Sequence, residues 1–334
     1  MRKRLSLRQC ASVGVTAAAM AASIVFVWML AQASAADAVQ SVNSGRQHNE
    51  NGDTRVVAVL FSVGKTKDAR KEFKDVPNLD LLEVNGVPMI TRVYNVLRQS
   101  KHVQKIVVVA APETEEKLEI GDCPPTSFLI DKGDAAKNVQ FGIGEVSKGD
   151  LIMFIPSDLP LVTADGLDRL IERVLEEKRV DLVFPMVSRV SCERKYPEER
   201  RTYASFQEGQ FTGAHVEFVR PDLFLEHVDK VKASKDNLYN VYHMRRNAIG
   251  MVRFLGLRLT LRYIFGSLST HEVEQHIFDT YHVTAKAIEW NDPDLATDLS
   301  EPDDIRMIQR ALEQREAAKS RKAPEISRAG HGQI

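Results

Sequence analysis

The chain has 334 residues, 43% hydrophobic and 27% charged, an ordinary globular composition with ample apolar material for one large core. A net charge of -1 provides no whole-protein field to attract nucleic acid or acidic partners, so the reading includes no nucleic-acid partner. Three cysteines, Cys10, Cys123 and Cys192, are too few and too scattered for a disulfide framework or a zinc site, and only Cys123 with Cys192 could pair in a mature domain.

In chain order, the first segment is 1–36. Arg2, Lys3, Arg4 and Arg8 make a basic start, no charge follows from Gln9 to Ala36, and Ala11 to Leu30 is almost wholly apolar. Ala33-Ser34-Ala35 offers a small-residue cleavage site, which fits a signal peptide. The length instead fits an uncleaved anchor, since about 18 apolar residues can span a bilayer. Both readings place the domain outside the cytoplasm, membrane-anchored or exported. A gene start set too far upstream is a third reading and would leave the domain cytoplasmic. Residues 37–54 are polar and read as a flexible linker, 55–315 as one folded domain, and 316–334 as a disordered tail.

Within the domain, short apolar runs alternate with helical patterns. Arg55 to Phe61 reads as a buried strand, Met89 to Gln99 as a helix, Lys105 to Ala111 as a strand followed by a short charged helix, and Ser127 to Ile130 as a strand. Asp134 to Val146 reads as a helix, Leu151 to Ile155 as a strand, Ala164 to Lys178 as a helix, and Asp181 to Val187 as a strand. This alternation predicts an α/β fold with a mostly parallel sheet and helices on both faces. The C-terminal half departs from it as a helical insertion. Phe211 to Phe218 reads as a strand, Pro221 to Val231 as a helix, Val241 to Leu268 as two helices broken near Gly256, and His271 to Thr280 as a helix. Val283 to Glu289 is the last strand, and Pro302 to Arg315 the closing helix.

The chemistry centres on Asp158, which stands where the strand Leu151 to Ile155 runs out. Open α/β sheets bind ligands beyond the carboxyl ends of their strands. A carboxylate there suits a hard divalent cation that bridges phosphate oxygens, and it also suits a helix N-cap or a turn. Asp298 precedes the last helix, whose Pro302, Asp303 and Asp304 are explained by the helix start itself. His215 reads as a substrate contact or as a half-buried structural histidine, and Asn138 as a helix cap or a base contact. Arg245, Arg246, Arg253, Arg258 and Arg262 stud an apolar stretch, either as the wet faces of core helices or as a seat on anionic lipid.

The order of Gly86-Val87-Pro88, GDLIMFIPSDLPLVT, FTG and DLSEPDDI resembles the MobA-like nucleotidyltransferases from Val56 to about Ala311. The resemblance implies a Rossmann-like, nucleotide-diphospho-sugar transferase type of sheet. It implies that Asp158, the aspartate of the D-x-P stretch, binds Mg²⁺ carried on a nucleoside triphosphate. Asp298 becomes the second metal-side carboxylate, since Ser300 stands where the family has another acid. Arg201-Thr202-Tyr203 and Phe211-Thr212-Gly213-Ala214-His215 resemble the substrate-side stretches R-T-Y and F-T-G-G-N, implying that Arg201, Thr202, Thr212 and Gly213 line the acceptor side.

The opening L-A-G-G of that family is here Leu60-Phe61-Ser62-Val63, with Gly64 next, so Leu60, Ser62, Gly64 and Lys65 are the nucleotide-side residues the resemblance implies. The family's lysine before its apolar pair is Leu79. Lys65, Lys67, Arg70 and Lys71 supply the missing charge or form a solvated loop. The expected reaction is transfer of a nucleoside monophosphate from the triphosphate to a phosphorylated or alcohol acceptor, with Mg²⁺ neutralising the developing charge. The eroded loop and the leader favour a different reading, a non-catalytic nucleotide- or sugar-binding relative at the cell envelope. A third is a glycosyltransferase-like enzyme using a nucleotide sugar. Oligomeric state leaves no trace in the sequence.

Overall fold

The computed structural model describes residues 54–62, 76, 78–131, 138, 142, 144–147, 149–199, 201–221, 248–299 and 302–329. The N-terminal segment, nearly all of the linker, Gly64, Lys65, Lys67, Arg70, Lys71, Arg245, Arg246, Ser300 and the chain end 330–334 lie outside these. So do most of the helices expected over 134–146 and 221–231. Among the described residues no helix is long and apolar enough to cross a membrane.

Strand β1 (Val56–Phe61) is central. It pairs in parallel with β4 (Val103–Ala110) on one side and β6 (Leu151–Pro156) on the other, and β5 (Thr126–Ile130) extends the sheet beyond β4. Past β6 the direction changes. β10 (Glu217–Val219) runs antiparallel between β6 and β7 (Leu182–Ser188), β9 (Gly209–Gly213) and β8 (Ala204–Phe206) follow antiparallel, and β11 (Ala285–Trp290) pairs in parallel with β7. The sheet is thus mixed but mostly parallel at its centre.

Alternation along each strand divides the core in two. Val56, Ala58, Leu60, Ile106, Val108, Met153 and Ile155 face α1 (Met89–Gln99) and α3 (Ala164–Leu175), meeting Ile90, Val93, Tyr94, Leu97, Leu167, Leu170 and Ile171. Val57, Val59, Val107, Val109, Ile152 and Phe154 face the opposite layer. There α5 (Ala248–Ile264) contributes Leu255 and Tyr263, and α6 (Thr270–Tyr281) contributes Val273, Ile277 and Tyr281. Each large side chain buried this way contributes about 1.5–3 kcal/mol, which is why both faces of the central strands are apolar. α1 is launched by a tight hairpin, β2 (Glu83–Val84) and β3 (Val87–Pro88). Asn85 and Gly86 both take the left-handed backbone (φ 50 and 71) that a two-residue hairpin loop demands.

Three features differ from the sequence reading. The strand expected over Phe211 to Phe218 is two strands, β9 and β10, separated by Ala214 to Val216. Both lie antiparallel to β7: Gly213 opposes Met186, but Phe218 opposes Val183, so the intervening chain carries two extra residues. A backbone bond from Ala214 N to Pro185 O (2.9 Å) keeps this bulge attached to the ladder. The short helices α2 (Pro112–Glu115), which was expected, and α4 (Arg189–Lys195), which was not, flank the sheet. The closing helix α7 (Pro302–Ala329) continues well past Arg315, because Glu316, Ala317, Ala318 and Lys319 are strong helix formers. The tail read as disordered therefore begins as helix. Cys123 is exposed and Cys192 buried, and both are free, so they form no bridge.

α7 is held to the domain by a polar knot. Asp294, in the 3-10 turn Pro293–Ala296, is 5% exposed and accepts from the Tyr196 hydroxyl (2.5 Å). It also pairs with Lys195 (2.7 Å) and Arg315 (2.7 Å). Arg315 also donates to Leu161 O (2.6 Å). The knot fixes the turn that immediately precedes Asp298. Replacing Asp294 by Asn should lower stability by about 2 kcal/mol, since two cations lose their shared anion in a mostly buried setting. Urea denaturation checks this, and an unchanged midpoint would show that solvent already screens the knot.

Candidate functional site

Beyond the carboxyl ends of β1 and β6 the backbone brings several chain segments to one place. Ser157 N donates to Phe61 O (3.1 Å), and Ser62 N to Val109 O (2.9 Å), continuing the ladder past the last strand residues. Leu299 N then donates to Asp158 O (3.0 Å), which ties the segment carrying Asp298 directly to the residue after β6. The bulge between β9 and β10 adds His215, whose N–H donates to Leu295 O (2.8 Å) and whose Nε2 lies 3.4 Å from an Asp298 oxygen. Asp158, Asp298 and His215 thus form the centre of the site, on elements far apart in sequence.

One oxygen of Asp158, Oδ1, is buried and has no hydrogen-bond partner among the described residues. Burial first and then the charge of Asp298 raise the Asp158 carboxyl, with Asp80 adding a little, while His215 and the residue's own backbone N–H oppose; the net result is about 7. For His215, burial pulls the imidazole down, and the pull is more than reversed by Asp298, with Asp158 adding to it. Protein packs densely around this ring, yet 41% of its side-chain surface meets solvent, so water softens both effects. The net direction is up, towards a cationic ring between two carboxylates.

A third acid stands behind them. Asp80 is wholly buried and accepts from the hydroxyls of Ser62 and Ser157, one on each of its oxygens. Its own N–H donates to Asn78 Oδ1 (3.0 Å). It follows Leu79, the residue at the position of the expected lysine. Leu79 is 6% exposed and packs with Val84, Met89 and Leu161, so its side chain turns into a satellite core. Sequence reasoning passed over Asp80, although an acid within an apolar run, L-D-L-L, was the signal available.

The implied nucleotide and acceptor residues divide. Leu60 does not reach the site: it is buried against α1 and α3, as strand alternation requires, which corrects its placement on the nucleotide side. Ser62 is at the site, with its hydroxyl committed to Asp80. Gly64 and Lys65 lie outside the described residues. Arg201 is 7% exposed on its side chain and donates to Glu199, to Ala296 O and to Thr297 Oγ1 (3.0 Å). It acts on the site through the 296–298 segment and is a positioning residue. Thr202 is exposed, while Thr212 and Gly213 are half-buried in the ladder opposite Val187 and Met186. Asn138 donates to Asp131, which makes it a local cross-link.

Among the described residues no group of three or more His, Cys, Asp or Glu side chains has the arrangement of a complete metal cage. Two carboxylates with one uncommitted buried oxygen suit Mg²⁺ better, since this ion is usually held by one or two carboxylates with substrate phosphates and water completing its shell. The chain's own residues therefore fit the ion.

Burial and the repulsion between Asp158 and Asp298 have a measurable cost. A carboxyl whose folded pKa is raised destabilises the fold progressively as pH rises from its unfolded value near 4 through about 7. Asp158→Asn in the metal-free protein should therefore raise the melting temperature by a few degrees at pH 8 and leave it nearly unchanged at pH 5. Thermal melts at the two pH values test this. A variant that melts lower at both would make Asp158 a structural turn residue.

Comparison with known proteins follows this geometry. The family model described as MobA-like NTP transferase domain matches residues 80–214. The stretch starts at Asp80, contains Asp158, and stops one residue before His215. No curated protein sequence matches the chain. Among solved structures, a hypothetical transferase from Thermus thermophilus is 24% identical with a TM-score of 0.62, covering 75% of this chain and 100% of that one. A CMP:2-keto-3-deoxy-manno-octonic acid synthetase complexed with CTP is 12% identical with a TM-score of 0.47, covering 78% of this chain and all of that one. A 4-diphosphocytidyl-2C-methyl-D-erythritol synthase from Anaerococcus prevotii DSM 20548 is 10% identical with a TM-score of 0.48, covering 78% and 99%. The last two likenesses are too loose to bear on the chemistry of this site. Residues 80–214 are thus matched by the MobA-like NTP transferase domain, within a sheet that begins before that stretch and ends after it.

Proposed function

We propose that the protein is a metal-dependent nucleotidyltransferase that moves a nucleoside monophosphate from a triphosphate to a phosphorylated or alcohol acceptor. The observation that carries this reading is the buried, unpartnered Oδ1 of Asp158 beside Asp298 at the end of the central strands. An oxygen left without a donor in that position costs free energy in the apo protein, and a cation would recover it. In the reaction the acceptor oxygen bonds to the α-phosphorus and the bond to the bridging oxygen breaks, releasing pyrophosphate. When bound, Mg²⁺ would supply charge neutralisation on the phosphates.

The chain's own residues perform the remaining tasks. Asp158 and Asp298 present carboxylate oxygens to the cation. Arg201 holds Thr297, and hence the backbone leading to Asp298, in a fixed place. Thr212 and Gly213 sit on the strand that runs into the bulge and are candidates for the acceptor side. His215 shields the two carboxylates from each other before the cation arrives. The Ser62 to Lys71 loop would cover the triphosphate, with Gly64 and Lys65 among its residues. Attachment to a membrane, or export through the 1–36 segment, belongs to the same proposal.

A second reading has one observation in its favour. Asp80 puts a buried acid behind Ser62 and Ser157, where the family resemblance leads one to expect a lysine nearby. An anionic strand end repels unscreened phosphate, which favours the reading of a nucleotide- or sugar-binding relative that does no phosphoryl chemistry. The two readings separate on a single variant. Asp158→Asn should weaken Mg²⁺-dependent triphosphate binding at least tenfold, about 1.4 kcal/mol, in calorimetric titrations with each of the four ribonucleotides. Equal affinity in both proteins sinks the metal assignment. Undiminished Mg²⁺-dependent binding by the native protein, without pyrophosphate release in the presence of any sugar or alcohol phosphate, would favour the non-catalytic reading.

A further inference from the structure

Past the kink at Gly256, α5 carries apolar side chains on two opposite sides, and among the described residues only one of them is packed. Leu255 and Tyr263 are buried against the sheet, and Leu259 is partly buried beside them. On the far side Leu257, Leu261, Ile264 and Phe265 are 68%, 43%, 56% and 78% exposed. Spacings of four, seven and eight residues place these four side chains in one stripe, about half a turn from the core contacts. A helix at a protein surface normally gives that face to charged groups, and a helix apolar all round is normally covered.

The stripe is a discrete unit. Gly256 and Gly266 bound it, both in the left-handed region (φ 72 and 64), so the chain turns at each end. Arg258 and Arg262, four residues apart, share one flank. Arg258 is exposed, and Arg262 is held by Glu272 (3.1 Å) and by Ser267 O (2.6 Å).

Area and position decide what covers the stripe. The four side chains expose on the order of 400–500 Å², the size of a functional patch but about half of the ~800 Å² per partner that a stable protein interface buries. A lipid interface needs no such area. A short apolar face inserts among the headgroups and acyl ends while the exposed Arg258 beside it meets anionic lipid. The sequence also brings a bilayer within reach. Only residues 37–54 separate the uncharged run Gln9 to Ala36 from the start of the sheet, a reach of roughly 20–25 Å for a random coil of that length. We propose that Leu257 to Phe265 lies in the interface of an anionic bilayer, as a second attachment beside the N-terminal segment.

The test uses the full chain with the reporter substitution Phe265→Trp, reconstituted in vesicles of phosphatidylcholine alone or mixed with phosphatidylglycerol. The signal of Trp28 and Trp290 is subtracted with the unsubstituted chain. In mixed vesicles the added tryptophan should emit to the blue and be quenched at least twofold by lipids brominated high on the acyl chain. Arg258→Glu in the same chain should reduce that quenching, and circular dichroism confirms the fold. If Phe265→Trp does not fold, Ile264→Trp takes its place. Emission typical of water in both vesicle types overturns the proposal. So does a blue shift that brominated lipid leaves unquenched, where the chain itself would be the cover, or one that rises with protein concentration, where a second copy would be.

Discussion

Three carboxylates, Asp80, Asp158 and Asp298, are gathered beyond the ends of β1 and β6, and much of the surrounding structure offsets their mutual repulsion. Asp80 is satisfied by two serine hydroxyls, one from the end of each strand. Asp298 has His215 at 3.4 Å, delivered by a bulge that interrupts the β9–β10 ladder. Asp158 receives its compensation only at a distance, and its Oδ1 has no donor among the described residues. Two of the acids are thus internally balanced and the third is left incomplete at the point where an α/β sheet binds ligand. In the proposed function, activity and instability would share a cause, since the same oxygen that disfavours the metal-free fold would accept a cation.

Holding acids so close requires rigid supports. The Asp298 segment is fixed from three directions. Leu299 N binds Asp158 O, Arg201 binds Ala296 O and Thr297, and the Asp294 knot joins the preceding turn to α4 and α7. A single backbone bond could not resist the repulsion between two carboxylates worth about 1 kcal/mol or more at this depth. α7, read from the sequence only as a closing helix, therefore positions the site through Arg315 although it contributes no residue to it.

The central strands and their helices were legible because burial on both faces writes continuous apolar runs, and Asp158 was legible because it stands at the end of one. Asp298 was found by its place before a helix start already explained by Pro302, Asp303 and Asp304. What escaped depends on pairing between distant segments. Two extra residues opposite β7 cannot be seen in Phe211 to Phe218, yet they turn His215 into the site. Arg201 was placed on the acceptor side because Arg201-Thr202-Tyr203 resembles the family's R-T-Y stretch, whereas its guanidinium is enclosed by Glu199, Ala296 and Thr297. Leu60 was misplaced for a simpler reason. It is an interior strand residue, and alternation sends it to the core rather than to the loop that follows.

The replacement of a lysine by Leu79 reads differently once its surroundings are known. Loss of a cation at a phosphate site would ordinarily leave a gap to be filled by water or another charge. Here the side chain has joined a core of Val84, Met89 and Leu161, and the adjacent Asp80 adds a negative charge within the same turn. A triphosphate approaching the ends of β1 and β6 would thus meet acids from the segment after β6, from the 3-10 turn and from the segment before α7. Direct contact between phosphate and these groups would be repulsive by several kcal/mol in a partly desolvated cleft. Attraction has to come from elsewhere, and the chain supplies two sources: the carboxylates themselves, once a divalent cation reverses their sign, and the Lys65, Lys67, Arg70 and Lys71 run that follows β1 in sequence. If the proposed activity holds, this electrostatic ground makes the cation a condition for nucleotide binding as well as for transfer, and metal and nucleotide affinity would rise and fall together.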